Sequence, residues 1–193
     1  MSWLLPPYDD AALSLAFQAA WGRGAIASLV VDEAISPAAA RRLRGLARAK
    51  LEQYSLADRG RFRFAAARSL PVLDEVAAEL AVFAAAATGL ALDAGAATLT
   101  RLAHGDYALR WDDWRRRPQG PLLEATLDLS PAPCPAADTV YSESPVVHFS
   151  LPQAPGQLGL VRRSPTGSRF DRYLSCHVGR SAVWKLRVAF AIG

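Results

Sequence analysis

Two carboxylates stand side by side in the run WDDW at 111–114, Asp112 and Asp113, and the chain carries three histidines, His104, His148 and His177. A carboxylate oxygen and a neutral imidazole nitrogen form a donor pair suited to Fe(II) when another histidine completes the set. In an extended segment Asp112 and Asp113 point to opposite sides, so one of them serves a given pocket, and turn hydrogen bonds or pairing with Arg110 and Arg115–Arg117 is the plainer alternative. A third chemical group, Arg187, sits in AVWKLRVAFAI, where Trp184, Leu186, Val188, Phe190 and Ile192 alternate with Lys185, Arg187, Ala189 and Ala191. This period of two marks a strand with one strongly apolar face. If that face meets helices, Arg187 projects to the other side, where a buried guanidinium needs either a ligand carboxylate or an internal salt bridge.

The elements that must position these groups change character along the chain. Ser36-Pro37 offers an N-cap and a first-turn proline, and Leu43, Leu46, Ala47, Leu51 and Tyr54 recur at helical spacing, which predicts a helix over 37–55. RFRF at 61–64 follows a polar connector, and a second helix is expected over 72–88, with Gly89 as its stop. From residue 97 the signal becomes short strands: ATLTRLA, PLLEATLDLS, PVVHFSL, QLGLVRR and the stretch around Arg187, separated by Gly and Pro turns. Helices first and strands afterwards predict an α+β protein whose helices back a mainly antiparallel sheet or sandwich. The chain reads as a single domain over 1–193, with an N-terminal extension (1–35) packed on the core, mainly helical support (36–96) and a β core (97–193).

Half of the residues are apolar (51%) and no uncharged apolar run is long enough to span a bilayer, which argues against a disordered chain and against a membrane span. The net charge of +4 is spread along the sequence. The local clusters Arg41/Arg42/Arg44/Arg48, Arg115–Arg117 and Arg162/Arg163 read as solvated faces or contacts to anionic small molecules, not as a nucleic-acid stripe. Cys134 and Cys176 make neither a disulfide framework nor a zinc motif, and the N-terminus lacks a secretory pattern, so a reduced, cytoplasmic protein is expected.

Four segments, RLAHGDYALRWDDW (101–114), PLLEATLDLS (121–130), LPQAPGQLGLV (151–161) and YLSCHVGRSAVWKLRVAF (173–190), together with the two helices before them, resemble the prolyl-hydroxylase-like branch of the non-haem Fe(II)/2-oxoglutarate-dependent oxygenases. The resemblance covers about residues 36–193. It implies a double-stranded β-helix, the cupin-like jelly roll, with helices supporting its larger sheet. It implies a dioxygenase, an oxidoreductase that hydroxylates a small molecule or a peptide side chain with Fe(II) and 2-oxoglutarate. Carried over residue by residue, Gly105, Asp106 and Tyr107 form the lead-in, and Trp111 takes the first-histidine position. Asp113 and His177 become the metal ligands, and Arg187, ten positions on, becomes the base for the far carboxylate of 2-oxoglutarate. Trp111 and Tyr107 would border the substrate pocket. Leu102 replaces the family's common tyrosine. Indole supplies an N–H donor and no metal-binding lone pair, so the resemblance carries an altered metal site with it. A non-catalytic binding protein of the same fold and an iron-independent enzyme are the alternatives.

Overall fold

The structure, a computed structural model, describes residues 2–5, 11–24, 26–56, 62–93, 95–108, 120–134, 137–143, 146–172, 174 and 182–193. Three helices, α1 (Ala11–Ala20), α2 (Pro37–Arg48) and α3 (Pro71–Thr88), accompany eleven strands. The strands are β1 (Ser28–Val31), β2 (Glu52–Leu56), β3 (Phe62–Arg68), β4 (Ala96–Leu102), β5 (Tyr107–Ala108) and β6 (Leu122–Asp128). Then follow β7 (Thr139–Glu143), β8 (Val146–Leu151), β9 (Leu158–Arg163), β10 (Ser168–Asp171) and β11 (Val183–Ala191). All described pairings are antiparallel, in the order β1-β9-β6-β11-β4-β3-β5-β10-β7-β8, with β2 added to β3. The sheet curls so that β10 and β7 face β6 and β11, giving the nearly closed double-stranded β-helix expected from the sequence.

Alternation along the central strands decides what each face touches. Leu123, Ala125 and Leu127 of β6, Leu158 and Leu160 of β9, and Trp184, Leu186, Val188 and Phe190 of β11 share one buried cluster with α2 and α3. Removing that surface from water, at ~25 cal/mol per Å², is what holds the helices on the outside of the large layer. The helices are built for this role. In α2 the Ser36 hydroxyl accepts a hydrogen bond from the Ala39 N–H at 3.1 Å, Pro37 opens the first turn, and Ala40, Leu43 and Ala47 form the buried stripe. In α3 the stripe runs through Leu73, Val76, Ala77, Leu80, Phe83, Ala84 and Ala87, and Gly89 ends the helix with a φ of 71° that a side chain would resist. Phe17 of α1 meets Phe83 edge-on at 5.8 Å. The N-terminal segment is tied to the same helix by the Trp3 N–H, which donates to Glu79 at 2.8 Å.

The helix expected over 37–55 ends at Arg48. Residues 52–56 instead pair with β3, with Tyr54 opposite Phe64 and their rings stacked 5.7 Å apart. Tyr54 sits at helical spacing from Leu43 and Leu51, but the alternating RFRF that follows offers a strand partner, and tertiary pairing outweighs a marginal helical extension. Strands therefore begin well before residue 97, at β1, and β2 and β3 widen the large layer.

Candidate functional site

The same alternation that sends leucines outward sends polar groups inward. From the large layer come Glu124, Thr126 and Asp128 of β6, Lys185 and Arg187 of β11, Thr100 of β4 and Arg163 of β9. Register pairs Lys185 with Asp128, Arg187 with Thr126 and Arg187 with Thr98. From the facing layer come Thr139 and Tyr141 of β7 and Arg169 and Asp171 of β10, paired in register as Thr139 with Asp171 and Tyr141 with Arg169.

These side chains meet in two linked ion clusters that bridge the layers. Glu124 accepts from the Tyr141 hydroxyl at 2.7 Å, from Arg169 Nη1 at 2.6 Å and from Arg163 Nη1 at 3.0 Å. Asp171 accepts from the Thr139 hydroxyl at 2.8 Å, from Lys185 Nζ at 3.0 Å and from Arg187 Nη2. Lys185 also donates to the Ala137 carbonyl and to the Thr139 hydroxyl, both at 2.7 Å. Arg187 reaches Thr139 at 3.2 Å and Thr100 at 3.4 Å. Glu124, Arg169, Asp171, Lys185 and Arg187 are all buried.

Charge this deep shifts the titration of its members. Burial alone would raise the Glu124 carboxyl, but Arg169, Arg163 and Arg187 pull it down to about 2. Asp171 is likewise held far below the usual carboxylate range, because Arg187, Lys185 and Arg169 outweigh its burial. The Tyr141 phenol is pushed up by burial and by the Glu124 charge, so it remains a donor. Lys185 is pushed down: removal from water outweighs the attraction of Asp171.

Among the described residues the inward ionisable groups are four cations, Arg163, Arg169, Lys185 and Arg187, against Glu124, Asp171 and, at the end of β6, Asp128. The lining is therefore positive on balance. Two of its buried donors, Arg163 Nε and Arg187 Nε, have no hydrogen-bond acceptor. The buried charges balance, Arg169, Lys185 and Arg187 against Glu124, Asp128 and Asp171, and the partly buried Arg163 adds one cation; with unfilled guanidinium donors the site is suited to an anion, and a carboxylate is the natural match. Among the described residues no group of three or more His, Cys, Asp or Glu side chains converges on a metal position.

Of the residues singled out by sequence, Arg187 is buried on the inward face. Tyr107 lies half-buried in the two-residue strand β5. The Gly105-Asp106 lead-in forms a tight turn: Gly105 has a φ of 82°, Asp106 accepts from the Ala103 N–H at 2.9 Å, and the Gly105 N–H donates to the Leu174 carbonyl at 2.9 Å. Trp111, Asp113 and His177 lie outside the described residues. His104 is exposed in the turn after β4. Sequence reasoning missed Asp171 as the partner of Arg187 and the neighbouring Glu124–Arg169 pair. The alternation Glu124-Thr126-Asp128 within LLEATLD was the available signal, since three polar residues at period two inside an apolar strand need a polar interior.

No protein-family model matches the chain, and no curated protein is detectably similar in sequence. Solved structures are similar in fold. A Pseudomonas putida prolyl-4-hydroxylase aligns with a TM-score of 0.67 at 16% identity, over 94% of this chain and 98% of that one. A prolyl hydroxylase from Trichoplax adhaerens, solved with a hypoxia inducible factor oxygen degradation domain peptide fragment, aligns with a TM-score of 0.66 at 10% identity, over 93% and 89%. HygX from Streptomyces hygroscopicus, solved with nickel, 2-oxoglutarate and hygromycin B, aligns with a TM-score of 0.58 at 12% identity, over 93% and 86%. At these identities the likeness establishes a shared fold.

Proposed function

We propose that this chain is an oxygenase-fold protein that receives a small dicarboxylate of the 2-oxoglutarate class inside its barrel, with Arg187 as the cation for the ligand's far carboxylate. The observation that carries the reading is the inward, buried Arg187 with an unfilled Nε, in a lining where the partly buried Arg163 adds one cation to otherwise balanced buried charges. Solved structures of similar fold include one with 2-oxoglutarate bound, which supports the choice of ligand class. Asp171 already touches Arg187, so the incoming carboxylate takes the unfilled edge of the guanidinium and shares the cation with it. In the barrel, Thr100 and Thr139 orient the guanidinium, and the facing layer excludes water from it.

Iron fits this sequence less well. Asp113 and His177 offer two donors and Trp111 none, short of a two-histidine, one-carboxylate set. The second reading, hydroxylation of a small molecule or peptide side chain, is favoured by the ten positions between His177 and Arg187. In it Asp113 and His177 would hold Fe(II), Trp111 and Tyr107 would border the substrate, and the iron with 2-oxoglutarate would supply the oxidising chemistry. A cytoplasmic protein belongs to both readings. What the described residues contribute is that none of their helices is long and apolar enough to cross a membrane.

Anaerobic calorimetric titration with 2-oxoglutarate, with and without Fe(II), tests the proposal. Saturable binding is expected, weakened at least about tenfold in Arg187→Gln protein whose circular dichroism is unchanged. Binding that requires Fe(II) favours the second reading. If wild-type protein fails to bind 2-oxoglutarate at millimolar concentration under either condition, Arg187 is a structural ion-pair residue and the proposal fails.

A further inference from the structure

On the opposite side of the large layer, where α2 crosses β4 and β11, lies a cleft of about 600 Å³ lined by Arg41, Arg44, Arg48, Arg101, Leu51 and Trp184. Arg41, Arg44 and Arg48 fall at i, i+3 and i+7, so they stack along one face of α2. Arg101 approaches from β4, the strand beneath, where its guanidinium lies 5.9 Å from the Trp184 ring centroid. Among the described residues no carboxylate comes within ion-pair distance of these four arginines. Arg44 is anchored by a hydrogen bond from Nη1 to the Leu129 carbonyl. Its guanidinium is pushed down by partial burial and by the neighbouring Arg41, with Asp128 opposing weakly.

Four like charges gathered around one concavity repel one another. Buried contacts of α2 are made by Ala40, Leu43 and Ala47, on another face. Arg42, the remaining member of the sequence cluster, lies elsewhere, over the Trp3 ring at 4.9 Å. The arginines of the cleft thus have a charge that, among the described residues, only Asp128 offsets in part, at Arg44, next to an apolar floor of Leu51, Ala182 and Trp184. A single carboxylate would neutralise one of four. The cleft volume lies in the range of small-ligand sites, ~300–1,000 Å³.

We propose that this cleft is a second ligand site, separate from the barrel interior, that takes a small phosphorylated molecule with a flat ring, of nucleoside diphosphate chemistry. The phosphates lie among Arg41, Arg44, Arg48 and Arg101, which suit bidentate phosphate contacts, and the ring packs toward Leu51 and Trp184.

Calorimetry at low and moderate salt, using ADP, inorganic pyrophosphate and a single-stranded oligonucleotide as probes, tests the site on the full chain. ADP is expected to bind saturably and more tightly than pyrophosphate. Replacing the exposed Arg41 and Arg48 together (R41Q/R48Q) should weaken ADP at least about tenfold, whereas R162Q, at an exposed arginine of β9, should leave it unchanged. Because neither Arg41 nor Arg48 is buried, unchanged melting curves are expected for the double variant, and R41K/R48K should recover part of the affinity. Absence of ADP and pyrophosphate binding overturns the proposal, as does binding that R41Q/R48Q leaves intact. Equal affinity for ADP and pyrophosphate refutes the ring contact. Tighter binding of the oligonucleotide, lost in the same double variant, assigns the face to nucleic acid instead.

Discussion

Removing the Glu124 charge by Glu124→Gln tests the reasoning about the barrel interior most directly. Glu124 is buried and is the acceptor for Tyr141, Arg163 and Arg169, and its carboxyl is held at about 2 against an ordinary value near 4.5. Because the folded value is depressed, the associated stability is fully present above about pH 4.5 and is lost as the pH falls toward 2. A shift of that size, at ~1.4 kcal/mol per pH unit, corresponds to about 3 kcal/mol at neutral pH, in the range expected when one partner of a buried ion pair is removed. For a chain of this length that is a fall in Tm of about 6–12 °C. Urea unfolding of both proteins from pH 7 down to pH 2 should show a gap of about 3 kcal/mol above pH 5 that narrows steadily below pH 4.5. A gap that is constant with pH, or smaller than ~1 kcal/mol at pH 7, would refute the view that the Glu124 charge holds the two layers together.

Three further outcomes follow from other parts of the molecule. Gly159→Ala should cost about 1–3 kcal/mol by chemical denaturation, since a Cβ there would stand 2.5 Å from a terminal carbon of the buried Leu151 side chain, and a cost under ~0.5 kcal/mol would show that Leu151 yields easily. Ser36→Ala should lower stability by about 1 kcal/mol through loss of the α2 cap, with Ser36→Gly losing less, both read from urea midpoints at constant m-value. Trp111→His supplies an imidazole where the family resemblance puts the first histidine, so anaerobic titration should show tighter Fe(II) binding than wild type and no gain in Trp111→His/His177→Ala. Equal weak binding by folded wild type and Trp111→His argues for a barrel committed to a metal-independent role.

The parts of the fold that could be read from sequence were those with a long, unbroken pattern. β11 announced both its strand character and its two faces through nine alternating residues, α2 announced its N-cap and first-turn proline, and α3 announced its extent and its terminal glycine. β2 could not be read because Glu52–Leu56 has no pattern of its own: Tyr54 fits a helical stripe as well as a strand, and the choice is made by Phe64 across the ladder. β5 and β10, of two and four residues, are too short for any period to emerge. At the site, Arg187 was legible because its neighbours were apolar. Its partner Asp171 was not, since it is sixteen residues away and lies at the end of SRFD, and only the curl of the sheet brings the two together.

The parity of β11 has a consequence for how this chain can vary in length. Even-numbered residues of the strand belong to the greasy seam under the helices, and odd-numbered Lys185 and Arg187 belong to the ion clusters. Inserting or deleting a single residue within 183–191 would exchange the two populations over every position beyond it, stranding a lysine or an arginine beneath α3 and leaving Asp171 facing a leucine or a valine. A two-residue change keeps the facing intact and shifts only which partner each side chain meets. Length changes in this strand are therefore tolerable in pairs, unless a bulge absorbs the odd residue.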